Sequence, residues 1–272
     1  VRGPNFFLVG AAKSGTTTLY AALRSHPDVY LPALKEPHVY AYVADSSTAS
    51  HLYADEADAR RRYRELYLGV GDEVAVGDAS TTNLVVPGAA AAIAQDAPEA
   101  RIVAILRHPV DRAFSHFCHF VSAGGDDLDD FGQAVAAEAA RQQAGYPFTY
   151  RYLGWGRYSG QLARYLERFG RDRVLVHLYD DLCRDADGLV RATFRFLGVD
   201  DAVALPPVGR LNEVQPPPVA RQRPRPLSRR PRAPRERPSL DPVLRAELTA
   251  SFDDEIRRLE DLLGRDLAAW RA

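Results

Sequence analysis

One lysine sits between two glycines and ahead of three threonines in the stretch Gly10-Ala11-Ala12-Lys13-Ser14-Gly15-Thr16-Thr17-Thr18. The apolar run 6–10 leads into this turn and a helix-period segment leads out of it. Free backbone N–H groups and the positive end of a helix therefore converge there, which makes a cradle for a phosphate- or sulfate-like anion. In the Walker A order the lysine directly follows the second glycine. Here Lys13 precedes Gly15, so the loop is shorter and does not match a nucleotide triphosphatase. Gly15, Thr16 and Thr17 would supply N–H groups, the hydroxyls of Ser14 and Thr16–Thr18 further donors, and Lys13 would reach over the bound group.

A second anion site is read from Arg101-Ile102-Val103-Ala104-Ile105-Leu106-Arg107-His108-Pro109, with Ser115 about two helical turns further on. A buried strand ends in Arg107, and Pro109 opens a helix. Ligands of open α/β sheets bind at the carboxyl ends of the strands, so Arg107 stands where a fork-shaped donor can take a second phosphate.

Together these motifs resemble the sulfotransferases that use 3′-phosphoadenosine-5′-phosphosulfate (PAPS), nearest the heparan sulfate and bacterial carbohydrate or natural-product branch. The resemblance runs through most of residues 5–200, including Gly77-Asp78-Ala79-Ser80 and Gly156-Arg157-Tyr158-Ser159-Gly160-Gln161-Leu162. It implies a P-loop-like three-layer α/β/α fold and PAPS as co-substrate, with 3′-phosphoadenosine-5′-phosphate (PAP) as product and no required metal. Carried across, Lys13, Ser14, Gly15, Thr16, Thr17 and Thr18 form the 5′-phosphosulfate site, and Arg107 with Ser115 the 3′-phosphate site. The segment Lys35-Glu36-Pro37-His38-Val39-Tyr40 matches the family's K-E-x-H-F-F, whose glutamate is a base, and departs from it at the aromatic pair. Glu36 is thus the expected base. Sulfuryl transfer needs one, because a hydroxyl is a poor nucleophile until its proton is removed. His38 would orient Glu36 or share its task, Lys13 would offset charge on the leaving phosphate, and Lys35 would add to that field.

Further positions have more than one reading. Asp78 ends a short strand and either fixes the acceptor or Lys13, or simply caps the strand. Ala79 stands where the heparan sulfate enzymes carry a lysine, which argues against a heparan-type acceptor. Tyr158 either stacks on adenine or packs its helix, and Trp155 either lines the acceptor cleft or anchors that helix. The Pro/Arg stretch 206–242 carries nine arginines against three acidic residues. It is a lid whose Arg221 and Arg223 close over the 3′-phosphate, an anionic-partner site, or a solvated loop. A small-molecule kinase or a non-catalytic nucleotide-binding module are the competing functions. The first requires a Walker A order and a Mg²⁺ carboxylate, and the second has no use for Glu36.

The elements that must hold these residues alternate between short apolar runs and helix-period segments, the pattern of βα units around a mainly parallel sheet. Strands are expected at 6–10, 29–31, 73–77, 101–106 and 173–179, with a loop at 32–42. Helices are expected at 16–25, 55–67, 87–95, 110–122, 131–144, 158–169, 187–197 and, as a single C-terminal helix, 243–263. Everything from 1 to 272 reads as one domain.

Of 272 residues, 46% are apolar, enough for a large α/β core. A net charge of −1 argues against a dedicated nucleic-acid binder. No apolar run reaches the roughly 20 residues of a membrane span. Cys118 and Cys183 have neither metal-ligand nor disulfide-framework spacing and are expected to be ordinary buried thiols of a cytoplasmic protein. Lys13 and Lys35 are the only lysines in an arginine-rich chain. A small-molecule or glycan acceptor is the expected partner.

Overall fold

In the computed structural model, which describes residues 2–204 and 239–271, continuous burial on both sides of the strands decides the architecture. Strand β1 (Phe6–Gly10) is buried at every position, and β4 (Arg101–Leu106) at all but its first. Successive side chains of a strand point to opposite faces, so each face needs a cover. Phe6 and Leu8 of β1 and Val103 and Ile105 of β4 pack on one side against α1 (Thr16–Arg24) and α11 (Ala186–Leu197). Phe7, Val9, Ile102 and Ala104 pack on the other against residues of α2 (Val39–Ala44), α3 (Glu56–Glu65), α5 (Ala89–Asp96), α9 (Tyr158–Phe169) and α13 (Asp253–Leu263). The result is the three-layer α/β/α fold implied by the sequence.

The sheet holds five strands in the order β2-β3-β1-β4-β5, all parallel, with β2 at Val29–Tyr30, β3 at Ala75–Asp78 and β5 at Val174–Leu178. The chain moves from β1 outward to β2 and β3, then crosses back to β4 and β5. The carboxyl end of β1 is therefore the point where the connections diverge, which opens a crevice there. Remaining helices are α4 (Thr82–Val85), α6 (Pro109–Ser122), α7 (Phe131–Ala136), α8 (Glu138–Gln143), α10 (Tyr179–Arg184) and α12 (Pro242–Ala250). No helix among the described residues is long and apolar enough to cross a membrane.

Several elements depart from expectation. The segment 243–263 forms two helices, α12 and α13, broken at Ser251 and Phe252. Ser251 Oγ turns back onto the Leu248 carbonyl, Phe252 is buried, and Asp253, Asp254 and Glu255 load the new N-terminus with negative charge. The segment 131–144 is likewise split at Ala137. The expected loop 32–42 already contains the start of α2, while α4 and α10 had not been expected. Cys183 is exposed and Cys118 only half-buried. Arg221 and Arg223, with the rest of 205–238, lie outside the described residues.

Candidate active site

The turn after β1 is held open by backbone geometry. Lys13 and Gly15 both have positive φ, 69° and 89°. At Gly15 only glycine fits: a Cβ would lie 2.4 Å from Leu182 Cδ2. Ala11 N donates to the Ile105 carbonyl at 2.7 Å, lashing the turn to β4. No side chain caps α1, so its first N–H groups remain available to a ligand. Ser14 and Thr16 are buried, Thr18 is half-buried and Thr17 is exposed. The Ser14 N–H is itself engaged, donating to the Ala11 carbonyl at 3.2 Å.

Arg107 extends from the end of β4 beside that turn. Its Nη1 donates to the Lys13 carbonyl at 3.2 Å, and its guanidinium lies 4.8 Å from the centroid of the Tyr179 ring. It makes no ion pair with a carboxylate among the described residues. Ser115 is half-buried on α6. The same helix carries Arg112, His116 and His119, which the sequence reading missed; their i, i+4, i+7 spacing behind Arg107 was the available signal. Arg112 is wholly buried, bonded to the Tyr152 carbonyl, with His116 Nδ1 3.5 Å away. Burial lowers the pKa of His116 well below the ordinary value, and the charges of Arg112 and Lys13 lower it further. Burial and Lys13 lower that of His119. Positive charge in the crevice thus comes from Lys13 and Arg112, while burial first and these charges second favour the neutral form of His116.

The Lys35–His38 segment is pinned to the residues just after β3. Glu36 N donates to the Ala79 carbonyl (3.0 Å) and His38 N to Ser80 Oγ (3.1 Å). In return Thr81 N donates to Glu36 Oε2 at 2.7 Å, and the Thr81 hydroxyl reaches both carboxylate oxygens. Lys35 pairs with Glu36 Oε1. These bonds hold Glu36 and His38 at φ of 63° and 59°, a region non-glycine residues adopt only under constraint. His38 Nδ1 is 2.8 Å from Thr82 Oγ1 but 3.7 Å from Glu36. Thr82 rather than Glu36 is thus its hydrogen-bond partner, while burial pushes its pKa down against the opposing effect of Glu36.

Glu36, through Ala79–Thr81, belongs to the end of β3, Lys13 to the end of β1 and Arg107 to the end of β4. These three strands are neighbours, spaced by about 4.8 Å. A carboxylate and an arginine accordingly flank Lys13 from opposite sides.

The three residues with two readings, Asp78, Tyr158 and Trp155, are enclosed. Asp78 is 1% exposed and accepts from the Tyr63 hydroxyl at 3.0 Å; burial pushes its carboxyl up to about 6. It also accepts hydrogen bonds from Ser80, within the Ala79–Thr81 strap. Tyr158 is 1% exposed and donates to the Arg107 carbonyl at 2.9 Å, so it braces Arg107 and offers no open ring face. Trp155 is 6% exposed, stacks on Phe148 and donates to its carbonyl (3.0 Å), an anchor for the turn before α9. In each case the bulk of the side chain fills a core position. Among the described residues no three His, Cys, Asp or Glu side chains converge to hold a metal ion.

Comparison with known proteins agrees with this geometry. A model of the Sulfotransferase family matches residues 4–202. The crystal structure of a sulfotransferase from Alicyclobacillus acidocaldarius superposes with a TM-score of 0.83 at 35% identity, covering 100% of both chains. Carbohydrate sulfotransferase 15 of Mus musculus is 24% identical over 247 residues, 72% of this chain and 44% of that protein. The bifunctional heparan sulfate N-deacetylase/N-sulfotransferase 2 of Homo sapiens is 26% identical over 203 residues, 73% of this chain and 22% of that protein. The chain spans less than half the length of these curated relatives.

Proposed function

The chain belongs to the sulfotransferase family, and we propose that it moves the sulfuryl group of PAPS to a hydroxyl of a small-molecule, glycan or natural-product acceptor. The observation that carries this reading is the meeting, at three adjacent strand ends, of an uncapped helix N-terminus with Lys13, an arginine bonded to the Lys13 carbonyl, and an immobilised glutamate. The donor set fits the co-substrate. Backbone N–H groups of Gly15–Thr17 and Lys13 suit its 5′ end, while Arg107 and Ser115, with Arg112 and His116 behind them, suit a 3′-phosphate.

PAPS supplies an activated sulfuryl group on a phosphate leaving group, and the protein positions it and supplies charge and a base. Glu36 removes the proton of the acceptor hydroxyl. Its carboxylate is fixed at both oxygens by Thr81 and Lys35, so its remaining lone pairs point in a set direction. Such help is worth about 10²–10⁴-fold in rate. Lys13 lies on the far side of the transferred group and stabilises the negative charge that builds on the leaving oxygen. Lys35 holds Glu36 and contributes to the same field. His38, bonded through Nδ1 to Thr82, keeps its other ring nitrogen for the acceptor. The reaction consists of the S–O bond to the leaving phosphate breaking as the S–O bond to the acceptor forms, with the proton going to Glu36.

Thermal stabilisation separates this reading from its rivals. PAP is expected to raise the melting temperature, and ATP with Mg²⁺ to leave it near the ligand-free value. Stabilisation by ATP–Mg²⁺ alone would favour a kinase-type site. Stabilisation by PAP with no turnover on any hydroxyl or amine would favour a binding module.

A further inference from the structure

Residues 268–271 form a short 3₁₀ turn that reaches back to the phosphate end of the crevice. At its centre Trp270 is 4% exposed. Its indole N–H donates to Asp180 Oδ2 at 2.9 Å, and its backbone carbonyl accepts from His108 Nε2 at 2.9 Å. A carbonyl can only accept, so Nε2 carries the proton. The Trp270 ring stands edge-on to His108 at 6.1 Å and tilted to Tyr158 at 6.5 Å. The turn is itself anchored: Leu267 N donates to Glu260 Oε1 at 2.7 Å, and Arg271 pairs with Glu260.

Both partners of Trp270 adjoin groups that hold Arg107. His108 follows Arg107 in the chain, and Asp180 follows Tyr179, whose ring the Arg107 guanidinium covers. The other supports of Arg107 are the Tyr158 hydroxyl on its carbonyl and the Lys13 carbonyl on its Nη1. Trp270 therefore joins the turn after β4, through its backbone carbonyl, to the start of α10 after β5, through its indole N–H. It fixes the gap across which the guanidinium lies on its aromatic platform.

We infer that Trp270 is a positioning residue for Arg107, setting the guanidinium where it selects a ligand bearing a 3′-phosphate. The inference rests on the proposed reading of Arg107 as the 3′-phosphate donor. It differs from core filling alone, because a filler affects stability, whereas this role affects the preference for the 3′-phosphate.

The test compares PAP with adenosine 5′-phosphate, which lacks that group, by calorimetric titration well below the melting temperature. The wild-type protein should bind PAP more tightly. Trp270→Ala should lose about tenfold in PAP affinity, ~1.4 kcal/mol, with adenosine 5′-phosphate binding unchanged, and should raise KM for PAPS while kcat stays near wild type. Trp270→Phe keeps the ring and the carbonyl but loses the bond to Asp180. It should lose about threefold, and Asp180→Ala should add nothing further to it, since the two changes remove the same bond. This milder variant carries the test should Trp270→Ala fail to fold. An unchanged ratio of PAP to adenosine 5′-phosphate affinity in a folded variant would overturn the inference while leaving the sulfotransferase reading intact. A wild-type protein with no preference for PAP would instead overturn the reading of Arg107, and this inference with it.

Discussion

Replacing Asp78 with asparagine should make stability less sensitive to rising pH, and the size of that change follows from burial. Desolvation moves the Asp78 carboxyl from 3.8 to about 6, against the lowering effect of bonds from Ser80 and Tyr63. Below pH 3.8 both folded and unfolded chains hold the proton and the group is neutral to stability. Between 3.8 and about 6 the unfolded chain releases it first, so stability falls as pH rises. Above about 6 the full cost is present, ~3 kcal/mol at 1.36 kcal/mol per pH unit of displacement. Asparagine does not titrate, and its carbonyl can still accept from Tyr63. The melting temperature of Asp78→Asn relative to wild type should therefore climb between pH 4.5 and 8. The gain is ~2 kcal/mol, or about 4 °C for a chain of this size. The difference is the proper readout, because His177 acts in the opposite sense. Burial lowers its pKa to about 4, so the wild-type protein loses stability as pH falls from 6.5. Differential scanning calorimetry of both proteins at four pH values measures the offset. An offset that stays flat with pH, or shrinks as pH rises, would refute the assignment of a protonatable carboxyl beneath the Ala79–Thr81 strap.

Other substitutions probe the crevice itself. Glu36→Gln should reduce kcat by about 10²–10⁴-fold while PAP affinity in titrations stays within error of wild type. Arg107→Lys should raise KM for PAPS about tenfold, since an ammonium cannot reproduce the fork that grips a phosphate or lie flat on Tyr179; competition by adenosine 5′-phosphate should be unaffected. Gly15→Ala should destabilise by about 1–3 kcal/mol, because its φ is 89° and its Cβ would meet Leu182 at 2.4 Å. Chemical denaturation would measure that loss.

The sequence made the sheet and its ligand end legible because buried parallel strands leave unbroken aliphatic runs, as in Ile102–Leu106. Lys13 and Gly15 were readable for a related reason: a turn that needs positive φ and a helix start leaves glycine and hydroxyl residues at fixed offsets. The break between α12 and α13 was not, since the apolar spacing continues through Phe252 and only tertiary burial of that ring ends the first helix. Tyr158 and Trp155 look alike in sequence whether a ring faces a ligand or fills a core, and both turned out to be enclosed. The burial of Asp78 was not readable, because the tyrosine that donates to it, Tyr63, is 15 positions away on α3. Trp270 gave no local signal, because its partners His108 and Asp180 are 162 and 90 residues distant.

The central claim is that PAPS lies across the carboxyl ends of β1 and β4 with Glu36 facing the transferred group. A crystal structure with PAP tests it most directly. The 5′-phosphate should lie within about 3.2 Å of Lys13 Nζ and the Gly15–Thr17 amides, the 3′-phosphate on Arg107 and Ser115, with an open space beside Glu36. A reversed nucleotide, or one seated in the cleft lined by Tyr40, Arg60 and Tyr63, would contradict it.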